Sequence, residues 1–371
     1  MRVLHTPVRY PPHVGGIEAV AADICERLVA RGDEAYVICA ASPAAGPGRE
    51  VRNGVRVLRL RAAFRVANTD VTPGLPAALW RAPVDVVHTH LPTPWSADWS
   101  VLVARLRRKP VVVTFYNRIV GTGLASVAAR VYERTLQRVT LRLATLITVN
   151  SDSWRDRLVR EQPALRGKVV TLLNGVDTDA FAPGEGPRSP ELLFVSVLDE
   201  FHDYKGLDVL LDAMPLMPEA TCTVVGDGSR RARYEARARS LGVADRVTFA
   251  GRVDDEALAG LYRTCGVFVL PSQYVEHEGG SSLVALEAMA SGMPVVIAEG
   301  AGDIAKRAQD VGAGRAVPAG DAAALAAAVG ELLADDALRA RCGEAARAHV
   351  VAEVSWESFV DELRALYASL L

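Results

Sequence analysis

The chain has 371 residues, half of them hydrophobic and 23% charged, with a formal net charge of −2 at pH 7. This composition excludes a disordered or fibrous polymer and leaves apolar material for two separate cores; no apolar run reaches the roughly 20 residues that span a bilayer. The near-neutral total hides two unlike halves: positions 1 to 183 hold 25 Lys and Arg against 15 Asp and Glu, or +10, and the rest hold 17 against 29, or −12.

The opening MRVLHTPVRY reads as a strand and lacks the long apolar segment of a secretory signal. Short β-branched runs then alternate with amphipathic stretches, the pattern of a parallel sheet with crossover helices. Strands are expected at Arg2–His5, Glu34–Cys39, Val55–Arg61, Val84–Thr89, Pro110–Phe115, Leu146–Val149 and Val169–Leu173. Helices are expected at Ile17–Ala30, Ser96–Arg108, Ala125–Leu143 and Ser153–Glu161, and loops at Gly46–Glu50 and Ala67–Pro76. Gly15-Gly16, ahead of the first helix, forms a turn where open α/β sheets place ligands, at the C-terminal end of a strand. His88 and His90 share one strand face without a third ligand, which suits core or substrate-lining histidines better than a metal site.

Arg130, Arg134, Arg138 and Arg142 recur every four residues beside Val127, Val131, Leu136 and Val139. That pattern fits a solvated helix face or a helix lying on an acidic membrane surface. The positive charge of the first half likewise suits an anionic partner or attraction to the acidic second half. Turn formers collect from Asn174-Gly175 onward, and Gly184–Pro190 reads as a linker. Asp177-Thr178-Asp179 matches a metal-binding DxD only superficially, because it lies in this boundary turn.

The alternation restarts in the second half. Strands are expected at Leu192–Val197, Thr221–Val225, Arg246–Ala250, Val267–Leu270 and Val295–Ala298, with helices at Leu207–Ala213, Ser229–Leu241, Asp255–Arg263, Ser282–Ala290 and Ala322–Leu333. Lys205-Gly206 places a cation just before a helix, either to hold a leaving phosphate or as an exposed turn lysine. Gly226-Asp227-Gly228 is a strand-end turn, and Gly251-Arg252-Val253 leaves backbone groups at a strand end that suit a base edge. Glu353–Leu371 is an amphipathic helix long enough to cross back onto the first domain.

The most informative stretch is Glu276–Ile297. Gly279-Gly280 and Ser281-Ser282 lead into the helix formers Leu283–Ala290, so a glycine-rich loop feeds a helix N-terminus, a ready anion site. Glu287 sits one turn inside this otherwise apolar helix. A buried carboxylate needs donors, and an anion site with a carboxylate behind it suits a phosphate joined to a diol. The alternative is an ordinary core helix whose Glu287 bonds a local amide. Five scattered cysteines (Cys25, Cys39, Cys222, Cys265, Cys342) without zinc spacing fit reduced thiols in a cytoplasmic protein.

With these pieces in place, the chain resembles the retaining glycosyltransferases of family 4. The resemblance runs over essentially the whole length, through GGIE from Gly15, NGVD from Asn174, YKGLDVLL from Tyr204, VVGDG from Val224 and VTFAGRV from Val247. LPS from Leu270, EGGSSLVALEAMASGMPVV from Glu278 and SWE from Ser355 complete the set. The resemblance implies an α/β GT-B fold: two doubly wound, Rossmann-like domains with a cleft between them. Residues 1–183 would bind the acceptor, residues 184–352 the nucleotide sugar, and the helix 353–371 would return to the first domain.

The implied reaction moves a hexosyl group from a UDP- or GDP-linked sugar to a hydroxyl of an envelope glycan, glycolipid or natural product, with retention and without metal or cofactor. Glu287 would bind the ribose hydroxyls, Lys205 the diphosphate, and Glu278 the sugar. Gly279, Gly280, Ser281, Ser282, Leu283 and Val284 would meet the sugar and phosphates, Gly226, Gly251, Arg252 and Val253 would sit by the nucleotide, and Gly15 and Gly16 would close over the phosphates. His90, Tyr116 and Asn117 would line the acceptor or sugar.

Three positions depart from the family pattern. Glu278 and Glu287 are separated by eight residues where seven are usual, Val197 stands where the phosphate arginine is usual, and Tyr116 replaces a common histidine. A phosphorylase, a sugar-nucleotide epimerase or a non-catalytic sugar-nucleotide binder would share the fold. Nothing suggests a nucleic-acid partner; the charge of the basic domain leaves open peripheral contact with the inner face of a membrane.

Overall fold

The computed structural model describes residues 1–13, 15–66, 69–119, 123–273 and 282–371. Its contacts divide the chain into one unit of Met1–Leu172 with Val360–Leu371 and a second of Leu173–Phe359.

In the first unit, β-branched runs form β1 (Arg2–Thr6), β2 (Glu34–Ala40), β3 (Gly48–Arg52), β4 (Val55–Leu60), β5 (Phe64–Val66), β6 (Thr69–Val71), β7 (Val86–Leu91), β8 (Val111–Phe115), β9 (Leu146–Val149) and β10 (Val169–Thr171). Eight of them build one sheet in the order β10-β9-β8-β7-β1-β2-β4-β3. Neighbours pair in parallel except β3, which runs antiparallel along the edge of β4. Central strands such as β7 and β9 are buried at every position, as a sheet covered by helices on both faces requires.

Two stretches expected as loops carry strands. Every residue of β3 is exposed, so no alternation marks it, and its register is tied by Arg59 to Glu50 (Nη2–Oε1 2.6 Å). The antiparallel pair β5–β6 is held by Asp70, whose buried carboxylate accepts from Arg9 and Arg65 at 2.7 Å each. The helix expected over Ala125–Leu143 is two helices, Gly123–Arg134 and Leu136–Leu143. Between them the Thr135 hydroxyl bonds back to Val131 O at 2.6 Å, a bond that competes with helix continuation and bends the chain.

The second unit holds β11 (Glu191–Val195), β12 (Thr221–Val225), β13 (Val247–Gly251), β14 (Val267–Leu270), β15 (Val295–Ala298) and β16 (Gly314–Val317). They form a sheet ordered β13-β12-β11-β14-β15-β16, parallel throughout. Helices start at aspartate caps: Asp254, Asp321 and Asp335 accept from Ala257, Ala324 and Leu338 amides. Three elements that the pattern did not mark, β16 and the helices Asp303–Asp310 and Asp336–His349, are short or polar. In β16 a side chain at Gly314 would put its Cβ 1.8 Å from Val295 O, so close strand approach replaces the apolar signature there.

Asp177 accepts from the amides of Asp179 and Ala180 at 3.1 and 2.9 Å, closing the turn that follows the division between the units. Val176 pairs with Ser355, and Gly175 lies against the Trp356 ring. The last helix, Trp356–Ser369, therefore begins in the second unit. From Val360 it packs in the first, where Arg364 bonds Asp33 (2.6 Å) and Arg31 bonds Asp361 (2.6 Å).

Candidate active site

In the second unit the described residues among those expected to meet the donor lie at or just beyond the ends of β11, β12, β13 and β14. Gly226 follows β12 with φ +129, and a Cβ there would lie 1.8 Å from Ser196 O. Only glycine lets the chain pass, and the Gly226 amide then donates to Gly251 O at 2.8 Å. Gly226 and Gly251 are thus paired; beyond them Arg252 is exposed and Val253 half-buried. Arg231 braces this edge by donating to Phe249 O at 2.9 Å.

Lys205 closes a 3-10 turn, Asp203–Lys205, ahead of Gly206 with φ +82. A Cβ at Gly206 would meet Pro271 O at 1.9 Å, and the Gln273 amide donates to Tyr204 O at 2.7 Å. The lysine turn is therefore clamped to the segment leaving β14. Lys205 Nζ stands 4.9 Å from the Tyr204 ring centroid, a cation–π contact that holds the ammonium near one side of the turn. Glu278, Gly279, Gly280 and Ser281 lie outside the described residues. Val197, at the position of the family's phosphate arginine, is half exposed.

Ser282 occupies the N-cap of the helix Leu283–Ala290 without a side-chain capping bond, Leu283 is exposed and Val284 is half-buried. The far end of this helix is fixed by two arginines. Arg188 donates to Ser291 O, Tyr262 O and Cys265 O, and Arg347 donates to Ala290 O, Thr178 O and Phe181 O. Cationic groups there satisfy terminal carbonyls and complement the helix dipole. Burial lowers the Arg188 pKa to about 10.

Glu287 projects into the packing beside Tyr262, whose hydroxyl stands 3.1 Å from Glu287 Oε2 and 3.2 Å from Val284 O. One hydroxyl proton cannot serve both acceptors at full strength, so a protonated Glu287 can donate back when Tyr262 bonds Val284. Desolvation raises the Glu287 pKa to about 7, against the opposing Tyr262 bond. The carboxyl thus prefers its neutral form in the folded state between its ordinary pKa of 4.5 and about 7. Stability from this group is full below pH 4.5 and declines as pH rises through about 7, by about 3 kcal/mol in total.

His5, His88 and His90 act in the opposite sense, since burial lowers their pKa values and costs stability as pH falls below 6.5. Subtracting the denaturant stability of Glu287→Gln from that of the wild type isolates the Glu287 contribution. The difference should fall between pH 4.5 and 7; a flat difference would show that Glu287 is not desolvated.

In the first unit, Gly15 is the N-cap of the helix Gly16–Ala30. A Cβ at Gly15 would come within 2.3 Å of Glu18 Oε2, whereas one at Gly16 would meet open space. The first-turn carboxylate of Glu18 thus curls over Gly15. His90 on β7 and Tyr116 just past β8 are brought together, with rings stacked at 6.0 Å and 11° and Tyr116 OH 3.4 Å from His90 Nδ1. Asn117 is exposed.

Sequence reasoning gave no site role to Tyr262 and Arg188, which brace the helix Leu283–Ala290 in the second unit, or to Tyr367, whose hydroxyl bonds His88 in the first. Tyr262 lies on the apolar face of the helix Asp255–Thr264, where an aromatic reads as core. No group of three or more His, Cys, Asp or Glu that could hold a metal occurs among the described residues. No helix among them is long and apolar enough to cross a membrane.

Two family models match consecutive parts of the chain: Glycosyltransferase Family 4 over residues 14–180 and Glycosyl transferases group 1 over residues 177–349. D-inositol 3-phosphate glycosyltransferase of Xylanimonas cellulosilytica is 32% identical, over 90% of this chain and 87% of its own. The chain belongs to glycosyltransferase family 4. Phosphatidyl-myo-inositol mannosyltransferase of Mycobacterium leprae is 29% identical over 96% of this chain and 93% of its own. Among solved structures, Anabaena HepE in complex with UDP superposes with a TM-score of 0.74 at 19% identity, each chain covered in full, and supports the GT-B fold. This family 4 chain is accordingly a GT-B enzyme that transfers a sugar from a nucleotide-sugar donor.

Proposed function

We propose that this glycosyltransferase moves a hexosyl group from a UDP- or GDP-linked sugar to a hydroxyl of a phosphate-bearing acceptor, with retention and without a bound metal. The observation that carries this reading is the half-buried Glu287 carboxyl on the helix Leu283–Ala290, desolvated and held by Tyr262 at 3.1 Å. A ribose diol supplies two donors to such a group, and a diphosphate beside it meets the positive helix end and Lys205. Charge that builds on the leaving diphosphate is stabilised by Lys205 and first-turn amides, the part a metal would otherwise play. Glu278, Gly279, Gly280 and Ser281 are assigned to the sugar and phosphates, Gly226, Gly251, Arg252 and Val253 to the nucleotide, and Gly15 and Gly16 to the phosphates from the first unit. The acceptor is assigned to His90, Tyr116 and Asn117.

The named relatives support a phosphorylated acceptor, since inositol phosphate or phosphatidylinositol stands in both names. The charge of +10 over residues 1–183 supports an anionic acceptor as well. The test is incubation of the enzyme, with EDTA present, with UDP- and GDP-linked hexoses and phosphorylated or unphosphorylated polyols. The product linkage is read from its anomeric proton coupling. An α-linked product from an α-linked donor agrees with the proposal, and a β-linked product or loss of turnover in EDTA contradicts it.

Peripheral membrane contact rests on the helices Gly123–Arg134 and Leu136–Leu143, where Arg130, Arg134, Arg138 and Arg142 are exposed beside exposed Val127, Val131, Leu136 and Val139. Each arginine near an anionic surface contributes about 1 kcal/mol. Changing all four to serine should therefore abolish cosedimentation with phosphatidylglycerol vesicles; undiminished cosedimentation would place the contact elsewhere.

A further inference from the structure

Behind Tyr116 runs an unbroken series of hydrogen-bonding side chains within the first unit. Tyr116 OH lies 3.4 Å from His90 Nδ1, and His90 Nε2 lies 3.3 Å from His5 Nδ1. His5 Nε2 lies 3.4 Å from Tyr367 OH, which is 2.5 Å from His88 Nδ1. His88 Nε2 lies 2.7 Å from Thr114 Oγ1, itself 2.7 Å from Thr148 Oγ1. The fold explains the assembly: β1, β7, β8 and β9 are consecutive in the sheet, and register sets His5 opposite His88 and Thr114 opposite both His90 and Thr148. Tyr367 arrives from the last helix.

Each histidine uses both ring nitrogens. A neutral imidazole has one donor and one acceptor nitrogen, so the role of one nitrogen dictates the role of the other. Each hydroxyl passes the same constraint along. The series therefore has two self-consistent senses. In one, Tyr116 donates to His90 and all three histidines carry hydrogen on Nε2. In the other, Thr148 starts the series, all three carry hydrogen on Nδ1, and His90 donates to the Tyr116 oxygen. Only this second sense leaves the Tyr116 proton pointing away from the series.

We propose that this series, through His90, His5, Tyr367 and His88, is a positioning device that sets whether Tyr116 presents a proton or a lone pair to the bound substrate. The proposal rests on the placement of the acceptor site at Tyr116 given above. Burial keeps all three histidines neutral by lowering their pKa values, so the senses interconvert without a buried charge. An anionic phosphate oxygen beside Tyr116 selects the second sense, because it accepts the freed proton. His5, His88 and Tyr367 touch no substrate and act only through this orientation.

The test uses the full chain, labelled with 15N at histidine, with long-range 15N–1H correlation assigning the tautomer of each ring. The proposal expects His5, His88 and His90 to share one tautomer without ligand, and to share the Nδ1-H form after UDP and inositol phosphate are added. Mixed tautomers within the wild type, in either state, would overturn it. Tyr367→Phe removes only the hydroxyl at the centre of the series; it should let His88 differ from His5 and His90 and lower kcat about fivefold to tenfold at unchanged donor KM. Unchanged kcat in a folded Tyr367→Phe protein, checked by its melting temperature, would also overturn it. Tautomers are read without turnover, so a wild type that transfers no sugar would count against the acceptor assignment while the coupling of the rings is still decided.

Discussion

Lys205→Ala should lower kcat by roughly 100- to 1000-fold, equivalent to about 2.7–4 kcal/mol of transition-state stabilisation. The expectation follows from where the charge appears. Breaking the glycosidic bond leaves negative charge on the diphosphate, and a donor aimed at that charge is worth more in the transition state than in the ground state. The turn carrying Lys205 is built for fixed placement, since Gly206 abuts Pro271 O and Tyr204 O accepts from Gln273. On the proposed reading, Val197 at the family's arginine position leaves more of the load to the lysine. Lys205→Arg keeps the charge on a longer, planar group and should restore part of the rate. Initial rates at saturating donor decide the matter: a Lys205→Ala kcat within tenfold of wild type would remove the residue from the mechanism.

Glu287→Ala should act on binding more than on chemistry. Above pH 7, where the carboxyl is ionised, hydrogen bonds from a diol to a charged acceptor contribute about 1.5–3 kcal/mol, so donor binding should weaken roughly 10- to 150-fold while kcat at saturation changes less. The protein should still fold, because Tyr262 retains Val284 O as an acceptor at 3.2 Å and a desolvated carboxyl is removed. Calorimetric titration with the nucleoside diphosphate measures the effect. Affinity within threefold of wild type would mean that Glu287 serves the core alone.

Much of this was legible in the residues. The parallel strands show as β-branched runs because both faces of each sheet are covered, and Glu287 stands out as a lone carboxylate in an apolar helix. Elements without an apolar run gave no such signal: β3 is exposed throughout, and the half-buried β16 depends on a glycine contact. Long-range partners were silent for another reason. Tyr262 reads as one more core aromatic until Glu287 is placed beside it. His5 and Tyr367 are separated by nearly the whole chain, and only the return of the last helix joins them. The arginines Arg188 and Arg347 look like surface charges by type, yet their positions under the end of the helix Leu283–Ala290 show what they hold.

A double-mutant cycle on nucleotide binding decides whether Glu287 holds the ribose diol. UDP or GDP, whichever the enzyme accepts, is compared with its 2′,3′-dideoxy analogue, each titrated into wild type and Glu287→Ala. Loss of the ribose hydroxyls should weaken binding to the wild type by about tenfold or more and scarcely affect the variant. Equal losses in both proteins would contradict it, because the diol would then be recognised by something other than Glu287.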